Sequence, residues 1–146
     1  MLFQVLSVVA PAGSRIRSRR KTIEVRRWAL DALPLRNLVI VQNDIRLTDE
    51  NPEDATGRIV AVVDVVAIRE WLAEDLEKSS ATEFQEGFLA WELENIRPAA
   101  YHRFVPAKLG IYELDLDPKF LVYPEGSLAE IQKEQAAAAE APSEEA

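Results

Sequence analysis

The apolar residues of this chain fall in short, punctuated runs, and the period within each run separates strands from loops. Val5, Val8 and Val9 lie in a β-prone segment that stops at Pro11-Ala12-Gly13, which predicts a first strand closed by a turn. An arginine-rich stretch follows as a loop or short helix. Beyond it, Thr22, Glu24 and Arg26 alternate with Ile23 and Val25. Period two puts the two β-branched residues on a core face and the three polar residues together on the other. Leu38-Val39-Ile40-Val41 is continuously apolar and fits a strand buried on both faces. Ile45 to Thr56 is polar and predicts an exposed loop. From Gly57 the chain enters its most strand-like segment, Ile59 to Ile68, where Asp64 is the one charge.

Arg69 to Glu77 fits a short amphipathic helix or a loop with apolar anchors. Phe88 to Ile96 alternates as a strand, with Leu89, Trp91 and Leu93 on one face, and Arg97-Pro98 is expected to end it. Tyr101 to Val105 and Ile111 to Leu116 predict two further strands, with turns at Pro106 and Gly110. Ser127 to Gln135 can start a helix capped by Ser127, with Leu128 and Ile131 as a small apolar stripe. Ala136 to Ala146 has almost nothing to bury and is expected to be disordered. Six β-segments with few and short helices point to an α+β fold built on a compact barrel or half-barrel. The expected organisation is one domain over residues 1–120 and a C-terminal extension over 121–146. The barrel interior is apolar, so the polar chemistry belongs at one rim.

Composition narrows the chemistry. A chain of 146 residues, 48% hydrophobic and 29% charged, is the size and balance of one domain with one core. The absence of cysteine excludes disulfides, thiolate metal sites and cysteine nucleophiles. His102 is the single histidine, so histidine metal clusters and serine-histidine relays have no second member. It is expected at the surface or rim, and neither a metal nor a cofactor is expected. The five glycines are scattered and form no phosphate loop. Leu2 to Ala12 is too short for a bilayer and lacks a preceding basic region, so it reads as a strand and not as a signal peptide. No other run approaches the roughly 20 apolar residues of a membrane helix, and a cytoplasmic protein without a membrane partner is expected.

The net charge of -8 would repel a polyanion, but the charge is unevenly spread. Between Arg15 and Arg27 stand seven of the 17 basic residues against a single acid, Glu24. Arg17, Arg19, Arg20, Lys21, Arg26 and Arg27 are candidate phosphate contacts on that patch, and Trp28 beside them is a candidate stacking surface for a splayed-out base. Lys21 next to Arg19 and Arg20 suits either a general base or a point charge on phosphate. Glu24 and Arg26 can frame a ligand or simply pair with each other. Ser7, Asp64, Trp91 and Glu92 are further cleft candidates, each with a structural alternative: Trp91 as core, Asp64 and Glu92 as outward-facing charges. A buried Asp64 needs a partner, for which Lys21 and Arg26 are available.

Three stretches carry a resemblance to the ASCH family of the PUA-like superfamily. They are Leu6-Ser7-Val8 followed by Arg20-Lys21-Thr22-Ile23-Glu24-Val25-Arg26, then Gly57 to Val66, then Ala90 to Pro98 with Leu109 to Leu114. In order, they span residues 2 to 116. The resemblance implies a small PUA-like β-barrel with a cleft at the Lys-x-x-Glu-x-Arg segment, and roles in RNA binding, RNA processing or hydrolysis of modified nucleosides. Family members similar to amidohydrolases of acetylated cytidine carry a nucleophilic threonine three residues after the lysine. Here that position is Glu24. Thr22 is a hydroxyl on the same predicted strand face, but two residues along a strand displace it by about 6 to 7 Å.

Three functions remain open on the residues. The first is an RNA- or nucleotide-binding module with its ligand framed by Lys21, Glu24 and Arg26. The second is a hydrolase of RNA or a modified nucleoside, with Lys21 and Glu24, or less directly Thr22, as catalytic groups. The third is a protein-interaction module whose arginine patch meets an acidic partner. The ligand's identity and the oligomeric state are not legible in the chain.

Overall fold

The computed structural model describes residues 1–122, so the helix expected from Ser127 and the tail after Gln135 lie outside the described residues, as does the side chain of His102. The elements are β1 (Leu2–Val9), α1 (Ala12–Arg17), β2 (Ile23–Arg26), β3 (Leu35–Asn43), β4 (Glu53–Glu70), α2 (Leu76–Ser79), β5 (Leu89–Lys108) and β6 (Ile111–Asp115). A single 3-10 turn, Ala73–Asp75, leads into α2, and another, Pro118–Phe120, follows β6. The architecture is α+β: one six-stranded mixed sheet, ordered β2-β5-β4-β3-β1-β6, with few short helices. β1 runs parallel to β3, and the other neighbours are antiparallel.

The continuous apolar runs are explained by burial on two faces. Leu6, Val8, Leu38 and Ile40 enter one core with Val63, Val65 and Trp91. Their neighbours Val5, Val39 and Val41 point the opposite way, into a second core with Ile59, Val62 and Val105. Strand alternation thus divides one apolar run between two cores. α1 covers the first core by inserting Ile16, which is fully buried.

Several expectations from the sequence are corrected. Arg97-Pro98 does not end a strand, Tyr101 to Val105 is not a separate one and Pro106 makes no turn, because β5 continues to Lys108. The reason lies in the register: Ile59 pairs with Arg103 while Ala61 pairs with Pro98, so the residues between Pro98 and Arg103 bulge opposite Val60. A bulge is a position where a strand tolerates the missing proline N–H. The polar loop after β3 is also shorter than expected, since Glu53 and Asp54 already pair with Lys108 and Ala107.

The sheet curls until its first edge returns to its far side. β2 and β1 share no backbone ladder, yet Arg26 Nη2 of β2 donates to the carbonyl of Ser7 in β1 at 3.0 Å. The barrel-like closure is made by side chains, Arg26 here and Ser7 and Tyr112 against the end of β5. Gly57 allows β4 and β5 to approach each other over β3: a Cβ there would lie 2.7 Å from the Val105 carbonyl oxygen and 2.7 Å from Val41 Cγ1. Gly57→Ala is therefore expected to destabilise the protein by about 1–3 kcal/mol through overpacking against backbone. Denaturant unfolding checks this, and a midpoint equal to wild type would show that β4 and β5 separate at no cost.

Candidate nucleic-acid interface

The polar residues of β2 build a buried charge network. Glu24 is 6% exposed, and its Oε2 accepts from Arg26 Nε at 2.9 Å and Nη2 at 2.8 Å. Its Oε1 faces Lys21 Nζ at 3.3 Å. Lys21 is itself buried, and donates to the Ser79 carbonyl in the last turn of α2 at 2.7 Å. Burial alone would raise the Glu24 carboxyl, but the charges of Lys21 and Arg26 and the hydrogen bonds they donate outweigh it and hold it below its ordinary 4.5. The carboxylate is ionised and engaged on both oxygens.

Glu24 and Arg26 line a hollow of about 650 Å³ that also takes in Ser7, Trp28, Asn43 and Phe88. Four basic residues line it, Arg26, Arg27, Arg46 and Lys108, against Glu24 as its one acid, and the Lys108 ammonium lies 3.5 Å from the exposed Glu53 carboxylate. Ser7 is fixed from both sides. The Tyr112 hydroxyl donates to the Pro106 carbonyl at 2.9 Å, so Ser7 Oγ, 2.8 Å from Tyr112, is the donor in that pair. Ser7 Oγ in turn accepts from the Lys108 backbone N–H at 3.2 Å. Burial pushes the Tyr112 phenol above its ordinary 10.0, against the lowering effect of the Ser7 hydroxyl and the Lys108 N–H, which keeps it protonated.

Asn43 carries an acceptor without a partner. It is 1% exposed, its Nδ2 donates to the Ile45 carbonyl, and its Oδ1 has no partner among the described residues. The carbonyl of Ile45 can only accept, so the amide nitrogen must face it and the orphan is the oxygen. At the hollow's edge, Trp28 is 37% exposed and sits edge-to-face with Trp91, ring centroids 4.9 Å apart at 89°. Trp91 is fully buried and donates its Nε1–H to the Trp28 carbonyl, so it is a core residue that braces Trp28. Arg27 lies over the Phe88 ring, 4.7 Å from its centroid.

With this geometry in place, a family model described as the ASCH domain matches residues 6–109. The chain belongs to the ASCH domain family. None of the curated proteins searched matches this ASCH domain. Among solved structures it is similar to the ASCH protein of Zymomonas mobilis, at 17% identity over 92% of this chain and 93% of that one, with a TM-score of 0.41. Two point mutants of that protein are similar as well, one at 17% identity over 92% and 94% with a TM-score of 0.45. The other is 18% identical over 65% and 70%, with a TM-score of 0.43.

The ASCH domain does not gather all the residues that its sequence offered. Thr22 precedes β2, gives its N–H to the Lys78 carbonyl, and lines a separate hollow with Arg19, Arg36, Asp64 and Asn95. Glu24 lines a different hollow. Lys21 stands behind Glu24, outside the lining of the main hollow. Asp64 is partnered neither by Lys21 nor by Arg26: it accepts from the Asn37 N–H, Arg97, Asn95 and Arg36. Burial raises the Asp64 carboxyl, and those four donors more than reverse the effect. Glu92 pairs with Arg69, which also forks onto Asp75. Arg17 donates to the carbonyls of Val60 and Ala99, and Arg19 to that of Ile96, while Arg20 is exposed. The arginine run is therefore spread over several surroundings. Asn43, Arg46, Phe88 and Lys108 entered the hollow unforeseen, because each reaches it from a strand end or loop far from β2 in sequence.

Glu24→Gln removes the anion that pairs buried Lys21 and partly exposed Arg26, and is expected to cost about 3–5 kcal/mol at neutral pH. A carboxylate with a lowered folded value stabilises above its unfolded value and loses that contribution as pH falls through the folded one. The stability gap between wild type and Glu24→Gln should thus shrink below pH 4.5. Unfolding curves from pH 7 down to the acid limit measure it, and a gap that stays constant would mean that Glu24 is not ionised in the folded protein.

Proposed function

We propose that this ASCH domain binds RNA, or a nucleotide released from it, in the hollow beside β2. The observation that carries the reading is the charge arrangement: four basic side chains ring a concavity on a protein of net charge -8, next to a half-exposed tryptophan. Basic groups set locally on an acidic body attract phosphates to one place and repel them elsewhere. Asn43, in the lining of the hollow, holds a buried acceptor without a partner among the described residues, which is costly until a donor reaches it. Membership of the ASCH family supports the same reading. Among the described residues no helix is long and apolar enough to cross a membrane.

The hydrolytic reading has less behind it. A carboxyl held below its ordinary value and engaged on both oxygens is a weak base, and the Lys21 ammonium is turned to Ser79 and Glu24. Ser7 has its proton and a lone pair already committed. These groups shape and charge the hollow; the ligand meets Arg26, Arg27, Arg46 and Lys108.

Titration of labelled single-stranded RNA across a salt series tests this. Affinity should fall with salt at a log-log slope of about -0.7 per phosphate neutralised, and Arg27→Ala or Lys108→Ala should each reduce the slope by about 0.7. A flat salt response, or slopes unchanged in both variants, would remove phosphate contact from the hollow.

A further inference from the structure

Trp28 and Gly110 line two hollows at once: the basic one, and a neighbouring one of about 510 Å³ enclosed by the Ala29 to Ala32 loop, Gln4, Leu35 and Ile111. The two differ in chemistry. Four basic residues line the first, whereas no cation lines the second, whose side chains are Leu30, Leu35, Ile111 and alanines with Gln4 as its neutral polar side chain and Asp31 as its one charge. A space without a cation, lined by such side chains and one or two polar groups, suits a base better than a phosphate. The boundary between them is low on one side, because Gly110 has no side chain and a Cβ placed there would meet nothing within 4 Å. On the other side stands Trp28, and an edge-to-face pair occupies at most one face of each ring, so Trp91 leaves at least one indole face of Trp28 uncovered.

Resting on the nucleotide-binding reading of the first hollow, we propose that the ligand is a strand of single-stranded RNA at least two nucleotides long. Its phosphates lie in the basic hollow, the chain passes across Trp28 beside Gly110, and the adjoining base enters the apolar hollow. Trp28 is the stacking platform at the crossing. It is prepared for that role: Trp91 is buried and tied to the Trp28 carbonyl at 3.2 Å, so little freedom is lost when a base settles on the ring. Asp31 and Gln4 line the second hollow and can accept from a base N–H, such as the uracil N3–H, and the carboxylate disfavours a phosphate in the same space.

The experiment compares uridine 5′-monophosphate with the di- and trinucleotides of uridine, read by tryptophan fluorescence and calorimetry. Wild type should bind the dinucleotide roughly tenfold more tightly than the mononucleotide, the gain of one stacked base. Ala32→Glu places a charge in the second hollow from an exposed position, leaves the first hollow intact, and should abolish that gain with mononucleotide affinity within about twofold of wild type. Trp28→Ala should remove the gain and the fluorescence change together. Equal affinity for mono- and dinucleotide in wild type, or a tenfold gain that persists in Ala32→Glu, overturns the two-hollow strand while leaving the first hollow's role in place. Failure of every ligand, the mononucleotide included, overturns the binding reading itself and the strand with it.

Discussion

Arg26 holds the molecule closed and, in the same stroke, charges its concavity. Its guanidinium forks onto Glu24 in its own strand and reaches across to the Ser7 carbonyl in β1, joining strands that have no ladder between them. A fixed planar fork suits that task, where a flexible ammonium would satisfy one partner at a time. Glu24 cannot stay buried without two cations beside it, and Lys21 supplies the second. Since Lys21 also caps the last turn of α2 through the Ser79 carbonyl, the excursion between β4 and β5 is tied to the same carboxylate. Structure and electrostatics here are one network, which is why substitutions in it report on stability before they report on ligand.

What the chain revealed in advance was whatever depends on neighbours in sequence. The alternation around Ile23 and Val25 correctly put both residues against apolar partners, Trp71 and Ala90 among them. The unbroken Leu38 to Val41 run correctly signalled burial on both faces. What failed depended on contacts distant in sequence. Nothing near Lys21 announces Ser79, 58 residues later, so the lysine looked exposed and reactive when it is sequestered. Pro98 looked like a terminus because the bulge that excuses it is set by β4.

The arginine run shows a third kind of limit. Composition made it one patch, but backbone geometry divides it. Arg17 ends α1, and Arg19 follows with a left-handed φ of 64°, which reverses the chain before β2 begins. Side chains two residues apart across such a reversal go to different carbonyls. Net local charge was legible, and its direction was not. The same holds for the hollow: Arg46 and Lys108 join Arg26 and Arg27 because the end of β2, the loop after β3 and the end of β5 meet at the same rim.

The placement of β1 governs the order in which the fold can form. It lies between β3 and β6, with Val5 opposite Val39 on one side and Tyr112 on the other. The β3, β4 and β5 meander can assemble from neighbours in turn, whereas the first strand made must wait for the last before both of its edges are paired. Pairings so far apart in sequence are slow to find. A nascent chain emerging in order would carry an apolar N-terminal segment with an open edge through most of its synthesis, the interval in which such a chain is most exposed to aggregation.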